Sequence, residues 1–175
     1  RESFAGPAFH SARWDHSVDL AGKRVGVIGT GCSAAQFGPI VAEQAAHLEI
    51  FQRTPNWQFP VPHYRQEVPQ GFQYLLRHVP YYRQWYRFWL FWMIAELLRP
   101  MAEVDPDWPD KSRSVGEGND MLRELLTEAL VAQYPERPDL LEKALPQYPP
   151  ASKRIIVDDG AWAQMLHRDN ITLTT

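Results

Sequence analysis

A single cysteine, Cys32, stands among 175 residues, which permits no internal disulfide and argues against a small secreted scaffold held by cross-links. There is no basic excess. With 18 Lys+Arg against 21 Asp+Glu the net charge is −3, so the electrostatic footprint of nucleic-acid binding is missing and no nucleic-acid partner is expected. Long hydrophobic runs are missing too. The longest, residues 88–95, ends between Arg87 and Glu96, where a membrane-spanning helix needs about 20 apolar residues. The start, Arg1-Glu2-Ser3-Phe4, offers no methionine, no apolar stretch and no small-residue cleavage site, so it reads as the cut end of something longer rather than as a signal peptide. A reducing cytoplasm is the expected location. No cluster of Cys and His has metal-ligand spacing, so no metal is expected. Asn170-Ile171-Thr172 spells a glycosylation sequon, read here as an accidental triplet.

What is present points to a folded chain. Apolar residues make up 45%, which matches the globular average and argues against disorder. The 15 prolines and 22 aromatics are unevenly spread: twelve prolines fall in residues 60–150 and thirteen aromatics in 57–92, so the middle of the chain differs from its ends. Residues 23–28 form a short β-branched run ending in Gly29-Thr30-Gly31, which predicts a buried parallel strand. A helix is expected over 33–43, with Ala34, Phe37, Ile40 and Val41 on its packing face and Pro39 as a kink or an early-turn residue. A second strand over 48–52 completes a βαβ unit.

The prolines of 54–62 predict an extended exit from the sheet. Helices are expected over 71–98 on either side of Pro80, from Asn119 or Asp120 as N-cap to Gln133, and over 138–145. In the first, Trp85, Phe88, Trp89 and Trp92 share one face and read first as a core stripe. Aromatics on other faces, with Arg83, Arg87 and Arg99 between them, leave two more readings open: contact with missing domains, or peripheral contact with a membrane surface. In the helix after it, Arg123 and Glu124 are expected to face solvent. A helix over 161–166 and a third sheet strand over 170–174 close the chain. The fold class is therefore α/β: a Rossmann-like nucleotide-binding domain, a parallel sheet with helices, interrupted by a helical insert. The expected organisation is a linker (1–21), a first nucleotide-domain part (22–57), the insert (58–147) and a return (148–175) truncated before the domain is complete.

Gly29-Thr30-Gly31-Cys32-Ser33-Ala34 is G-x-G-x-x-A between a strand and a helix, the setting that separates a dinucleotide site from chance. Gly29 permits the tight turn, Gly31 lets backbone approach a pyrophosphate, and Ala34 permits close packing of helix on strand. The helix N-terminus offers free N–H groups and partial positive charge to phosphate. Cys32, inside this turn, reads as a small packing residue. At the end of the second strand an NAD site usually places a carboxylate; here stand Gln52-Arg53-Thr54. A carboxylate would repel a 2′-phosphate, whereas Arg53 can bind one bidentately and Thr54 can donate to it, so NADP(H) is the expected dinucleotide.

Phe4-Ala5-Gly6-Pro7-Ala8-Phe9-His10-Ser11-Ala12-Arg13-Trp14-Asp15 resembles F-x-G-x-x-x-H-x-x-x-W-[DP], the fingerprint of type I Baeyer–Villiger monooxygenases; Phe4, Gly6, His10, Trp14 and Asp15 carry the match. The wording of 51–57 and Ser152-Lys153-Arg154 is also similar to that family, and the helical insert, residues 149–154 (PPASKR) and residues 167–170 (HRDN) most resemble its 4-hydroxyacetophenone branch. The resemblance spans the chain but only the middle of such an enzyme. It implies NADPH and FAD as cofactors, with FAD bound by segments outside this sequence. It implies insertion of one oxygen atom of O₂ into a ketone, an aryl ketone by branch, to give an ester or lactone. Arg154 corresponds to the family's active-site arginine, a fixed positive charge for developing negative charge. Lys153 corresponds to a residue that helps hold the 2′-phosphate with Arg53 and Thr54, and Gln36 joins Gly29 to Ala34 among the implied cofactor contacts. His10 and Trp14 are expected in the linker between domains rather than in catalysis. Two alternatives stay open: a flavin monooxygenase oxidising nitrogen or sulfur, and, for the 175 residues alone, a nucleotide-binding module without turnover.

Overall fold

The structure, a computed structural model, describes residues 3–175, so the first two residues of the expected linker lie outside the described residues. Strand β1 (Arg24–Ile28), helix α1 (Cys32–Gln44) and strand β2 (His47–Phe51) form the expected βαβ unit. The last strand, β5 (Ile171–Thr174), pairs with the far edge of β2, giving a parallel sheet of order β1-β2-β5. Alternation decides which side chains enter the core. Leu48, Ile50 and Leu173 point inward and are buried, as a period of two requires. They meet Ala34, Ala35, Val41 and Ala42 of α1 and Trp162, Ala163, Met165 and Leu166 of α6 (Ala161–Leu166) in one core. Gly38 lets α1 and α6 touch: a Cβ there would lie 3.2 Å from both Met165 Sδ and the Trp162 ring.

Three details of this unit differ from expectation. Among the described residues β1 lies at the sheet edge rather than inside it, so it is not buried and Ile28 is 91% exposed. Ile40 is exposed because the packing stripe runs through Ala34, Ala35, Gly38, Val41 and Ala42, one residue out of step with it. Pro39 does not start α1; it sits in its interior. Its missing N–H leaves the Ala35 carbonyl without its helical donor, and Arg65 Nη2 donates there at 3.4 Å. The same guanidinium pairs with Asp158 at 3.3 Å and with Asp159. Asp158 is buried, and its other oxygen accepts from the backbone N–H groups of Gly160 (3.0 Å) and Trp162 (3.2 Å) at the start of α6.

Two strands were not expected. β3 (Gln58–Pro60) and β4 (Ile156–Asp158) form a separate parallel pair, where the sequence pattern suggests only an extended exit and a charged turn. Three residues are too few to carry a periodicity, and their partners lie far apart in the chain. Between them run α2 (Gln70–His78), α3 (Tyr82–Ala102), α4 (Glu117–Val131) and α5 (Pro138–Ala144), the last opening on proline as expected.

Helix α3 corrects the core-stripe reading, for none of its residues is buried and Trp85 is 65% exposed. Its aromatics pack on one another and on α2: Phe72 meets Tyr82 and Tyr86 edge-on, and Tyr86 stacks on Trp89. Phe88, Trp89, Phe91, Trp92, Ile94 and Leu97 stay exposed beside these contacts. In α4, Leu122, Leu126 and Leu130 form the buried row at i+4 spacing, while Leu125 and Met121 stay exposed. Arg123 is buried rather than solvent-facing. Its guanidinium lies 5.2 Å over the Trp57 ring and donates to the carbonyls of Arg113 (3.0 Å) and Tyr148 (3.4 Å). Burial, then the charge of Arg113, pulls its pKa below the ordinary guanidinium value.

Asn119 is not an N-cap; Gly116 takes that place and Asn119 lies fully buried in the first turn of α4. Its Nδ2 donates to Met101 O (2.7 Å) and Pro150 O (3.0 Å), and its Oδ1 accepts from Val115 N (3.2 Å). One side chain thus joins the end of α3, the start of α4 and the loop before β4. Truncation would leave those backbone groups unpaired in the interior. Asn119→Ala is therefore expected to lower stability by about 2–4 kcal/mol, read from the midpoint of denaturant unfolding, whereas the exposed Met121→Ala moves it by less than about 0.5 kcal/mol.

Candidate functional site

The site begins where β1 ends. Gly29 adopts φ +98°, which a side chain would strain, and its N–H donates to Phe51 O at 2.8 Å, locking the turn to the end of β2. Gly31 is the N-cap of α1, with extended backbone. A Cβ at position 31 would meet nothing within 4 Å, so the space a ligand would use against bare backbone is open. The first-turn N–H groups of α1 have no acceptor within the helix and carry its positive end. Ala34 is buried against the sheet as the turn requires; Cys32 is half-buried and packs against the core; Ser33 and Gln36 are exposed on the helix's opening turns.

Beside the turn lies the segment that leaves β2. Gln52 is buried and its Nε2 donates to Lys143 O at 2.7 Å, while Arg53 is exposed and Thr54 half-buried. Two residues further on, Asn56 performs a task that the sequence pattern did not signal. Its Nδ2 donates to Thr30 O (2.8 Å) and to Thr30 Oγ1 (3.2 Å), and the Thr30 hydroxyl donates to Thr54 O (3.5 Å). Thr30, the middle of the glycine turn, is thereby buried and tied to the segment that leaves β2. An asparagine after proline could have drawn attention as a turn residue, but its partner 26 residues away is visible only in three dimensions.

Lys153 and Arg154 lie exposed on the loop before β4. Lys153 Nζ stands 4.4 Å over the ring of Tyr148. The Tyr148 hydroxyl, kept protonated by a pKa that burial raises, donates to Pro55 O at 2.9 Å. Lys153 is so connected to the segment of Arg53 and Thr54. Arg154 makes no ion pair among the described residues.

The first stretch of the chain is attached to the same unit. The Phe4 ring lies over Gly6, where a Cβ would come within 2.8 Å of it. His10 Nδ1 accepts from Ala12 N at 3.1 Å and caps the short 3-10 turn Ser11–Arg13. Trp14 packs edge-on between Phe9 (5.3 Å) and Phe37 of α1 (5.2 Å), and Asp15 accepts from the Ser17 hydroxyl (2.6 Å) and N–H (3.0 Å), which hold its carboxyl below the usual range. Trp14 fastens this stretch to the helix that starts at the glycine turn, while the other contacts shape the stretch itself.

Asn56→Ala removes the donor to Thr30 and leaves a partly buried carbonyl without it. The expected loss is about 1–2 kcal/mol in thermal or denaturant unfolding, with weaker dinucleotide binding in calorimetry than the loss of stability alone accounts for.

No family model matches the chain. Individual proteins do. An uncharacterized monooxygenase of Sinorhizobium fredii is 42% identical over 171 residues, 98% of this chain and 26% of its own length. A Baeyer–Villiger monooxygenase of Pseudomonas aeruginosa is 56% identical over 61 residues, 35% of this chain and 12% of its own length. Among solved structures, OTEMO in complex with FAD and NADP superposes with a TM-score of 0.68 at 26% identity, covering 99% of this chain and 37% of that one. The chain spans about a quarter of the length of the curated relatives it matches end to end, at 26% in the first two. The glycine turn, the parallel sheet and these similarities support a relation to the Baeyer–Villiger and flavin-binding monooxygenase family over a segment that covers about a quarter of such proteins' length.

Proposed function

We propose that the chain is the NADPH-binding segment of a flavin-dependent Baeyer–Villiger monooxygenase. The observation that carries this reading is the turn at Gly29 to Ala34 together with the strand end beside it. Gly31 leaves bare backbone open at the start of α1, and the residues that follow β2 bring Arg53 and Thr54, not a carboxylate. In this reading the N–H groups of Cys32, Ser33 and Ala34 receive the pyrophosphate, Gln36 borders it, and Arg53, Thr54 and Lys153 receive the 2′-phosphate. Arg154, exposed and always charged, supplies positive potential for negative charge that develops on the substrate oxygen.

A flavin would supply the activation of O₂, and one oxygen atom would enter a ketone to give an ester or lactone. The described residues hold a single glycine turn of this kind, so they do not fit a second dinucleotide; FAD belongs to other parts of the longer protein in this reading. The organisation follows: 1–21 as linker, 22–57 and 148–175 as parts of the nucleotide domain, and 58–147 as a helical insert with the β3–β4 pair at its base. The unburied aromatics of α3 fit contact with the rest of the flavoenzyme better than with a membrane surface, because they spread around the helix rather than gathering on one face opposite Arg83 and Arg87. No described helix is long and apolar enough to cross a membrane. Aryl ketones are the proposed substrate class, on the branch resemblance of the insert and of Ser152-Lys153-Arg154.

Product analysis of the full-length enzyme with an aryl ketone and with a tertiary amine tests the reaction: ester is expected, and N-oxide without ester overturns it. Arg53→Ala should weaken NADPH binding by about 1.5–3 kcal/mol and leave NADH unchanged, measured by titration of each nucleotide. The 175 residues purified alone should carry no flavin absorbance and turn over no ketone.

A further inference from the structure

Lys153 is a flexible residue on an exposed loop, and such a side chain ordinarily samples many rotamers. Here its ammonium is held 4.4 Å over the ring of Tyr148. That tyrosine is itself fixed at both ends. Its hydroxyl donates to Pro55 O (2.9 Å), while its main-chain carbonyl accepts from Trp57 Nε1 (2.9 Å) and Arg123 Nη1 (3.4 Å). Both Pro55 and Trp57 belong to the segment that follows Arg53 and Thr54, so the ring is referenced to the strand end rather than to the loop that carries the lysine. The arrangement also suits an anion. A π face attracts a cation without placing a negative charge beside it, whereas a carboxylate partner would repel a phosphate. The ring covers one side of the ammonium and leaves N–H donors free on the other.

We propose that Tyr148 is a positioning residue that sets the preference for NADPH over NADH, by holding Lys153 ready beside Arg53 and Thr54. The proposal rests on the reading above in which those three residues receive the 2′-phosphate. Pre-ordering acts on the phosphate contact alone, because NADH offers Lys153 nothing to bind. Tyr148 therefore changes the ratio of the two affinities rather than both together.

The test is calorimetric titration of this chain with NADP⁺ and NAD⁺ for the wild type, Tyr148→Leu, Tyr148→Phe, Lys153→Ala and the Tyr148→Leu/Lys153→Ala pair, each checked for folding by circular dichroism. Tyr148→Leu should weaken NADP⁺ about two- to five-fold and leave NAD⁺ unchanged; Tyr148→Phe, which keeps the π face, should stay within about two-fold of wild type. In the Lys153→Ala background Tyr148→Leu should have no further effect, since its partner is gone. Equal losses for both nucleotides, or additive losses in the pair, overturn the proposal by making Tyr148 merely structural. If Lys153→Ala itself leaves NADP⁺ binding unchanged, the 2′-phosphate assignment of Lys153 falls and this proposal with it; if Lys153→Ala weakens NADP⁺ and Tyr148→Leu does not, only the proposal falls. A measurement on the wild type stands independently of any variant's folding: the ring should shift the Lys153 ε-methylene proton resonances upfield, and unshifted resonances overturn the contact.

Discussion

The buried indole of Trp57 is the constraint on which the rest of the structure depends. A tryptophan 1% exposed must find an acceptor for its ring N–H, and it finds Tyr148 O at 2.9 Å. Its main-chain carbonyl accepts from Ile156 N at 2.9 Å, which starts the β3–β4 pair, and its ring lies under the guanidinium of Arg123 in α4. Three parts of the chain far apart in sequence therefore converge on one residue: the exit from β2, the helices of the middle, and the loop before β4. Because Trp57 follows Arg53, Thr54 and Asn56 so closely, whatever fixes the indole also fixes the strand end beside the glycine turn.

Around that node, polar groups serve chiefly to compensate backbone irregularities. Asn56 holds the middle of the glycine turn; Asn119 joins the ends of two helices to a loop; Arg65 donates to the carbonyl that Pro39 leaves without its helical partner. Each sits where a buried carbonyl lacks its regular donor, and leaving such a group unpaired costs more than the hydrogen bond itself contributes. The glycine turn is thereby tied to the segment that leaves β2. Helix α3 is the contrasting case. Its apolar groups have no comparable partners here and remain exposed.

The βαβ unit was legible because several local signals agree: a β-branched run, glycines at the turn, a helical stripe and a second alternating strand. The helices at 138–144 and 161–166 were legible from proline at a first turn and from an apolar cluster after glycine. The glycine turn was legible because residue type alone carries its geometry, and Arg53 stands exposed at the end of β2 where the sequence pattern puts it. The candidate site was not legible at Asn56 or Tyr148, whose roles consist of contacts to residues 26 and 93 positions away. The stripe on α3 and the charge of Arg123 misled for related reasons. Periodicity reports that a face exists, not what covers it, and an arginine buries readily when carbonyls and a ring receive it.

The sequence by itself determined the strand–turn–helix–strand unit, since glycine at that turn and the apolar runs on either side of it are written in residue type. Tertiary structure alone decided how the unit is held. Position along a chain does not encode which distant carbonyl an amide reaches, which ring a lysine rests on, or which apolar face finds a neighbour. Those are properties of packing, set when Trp57 draws the helices and the returning strand onto the end of β2.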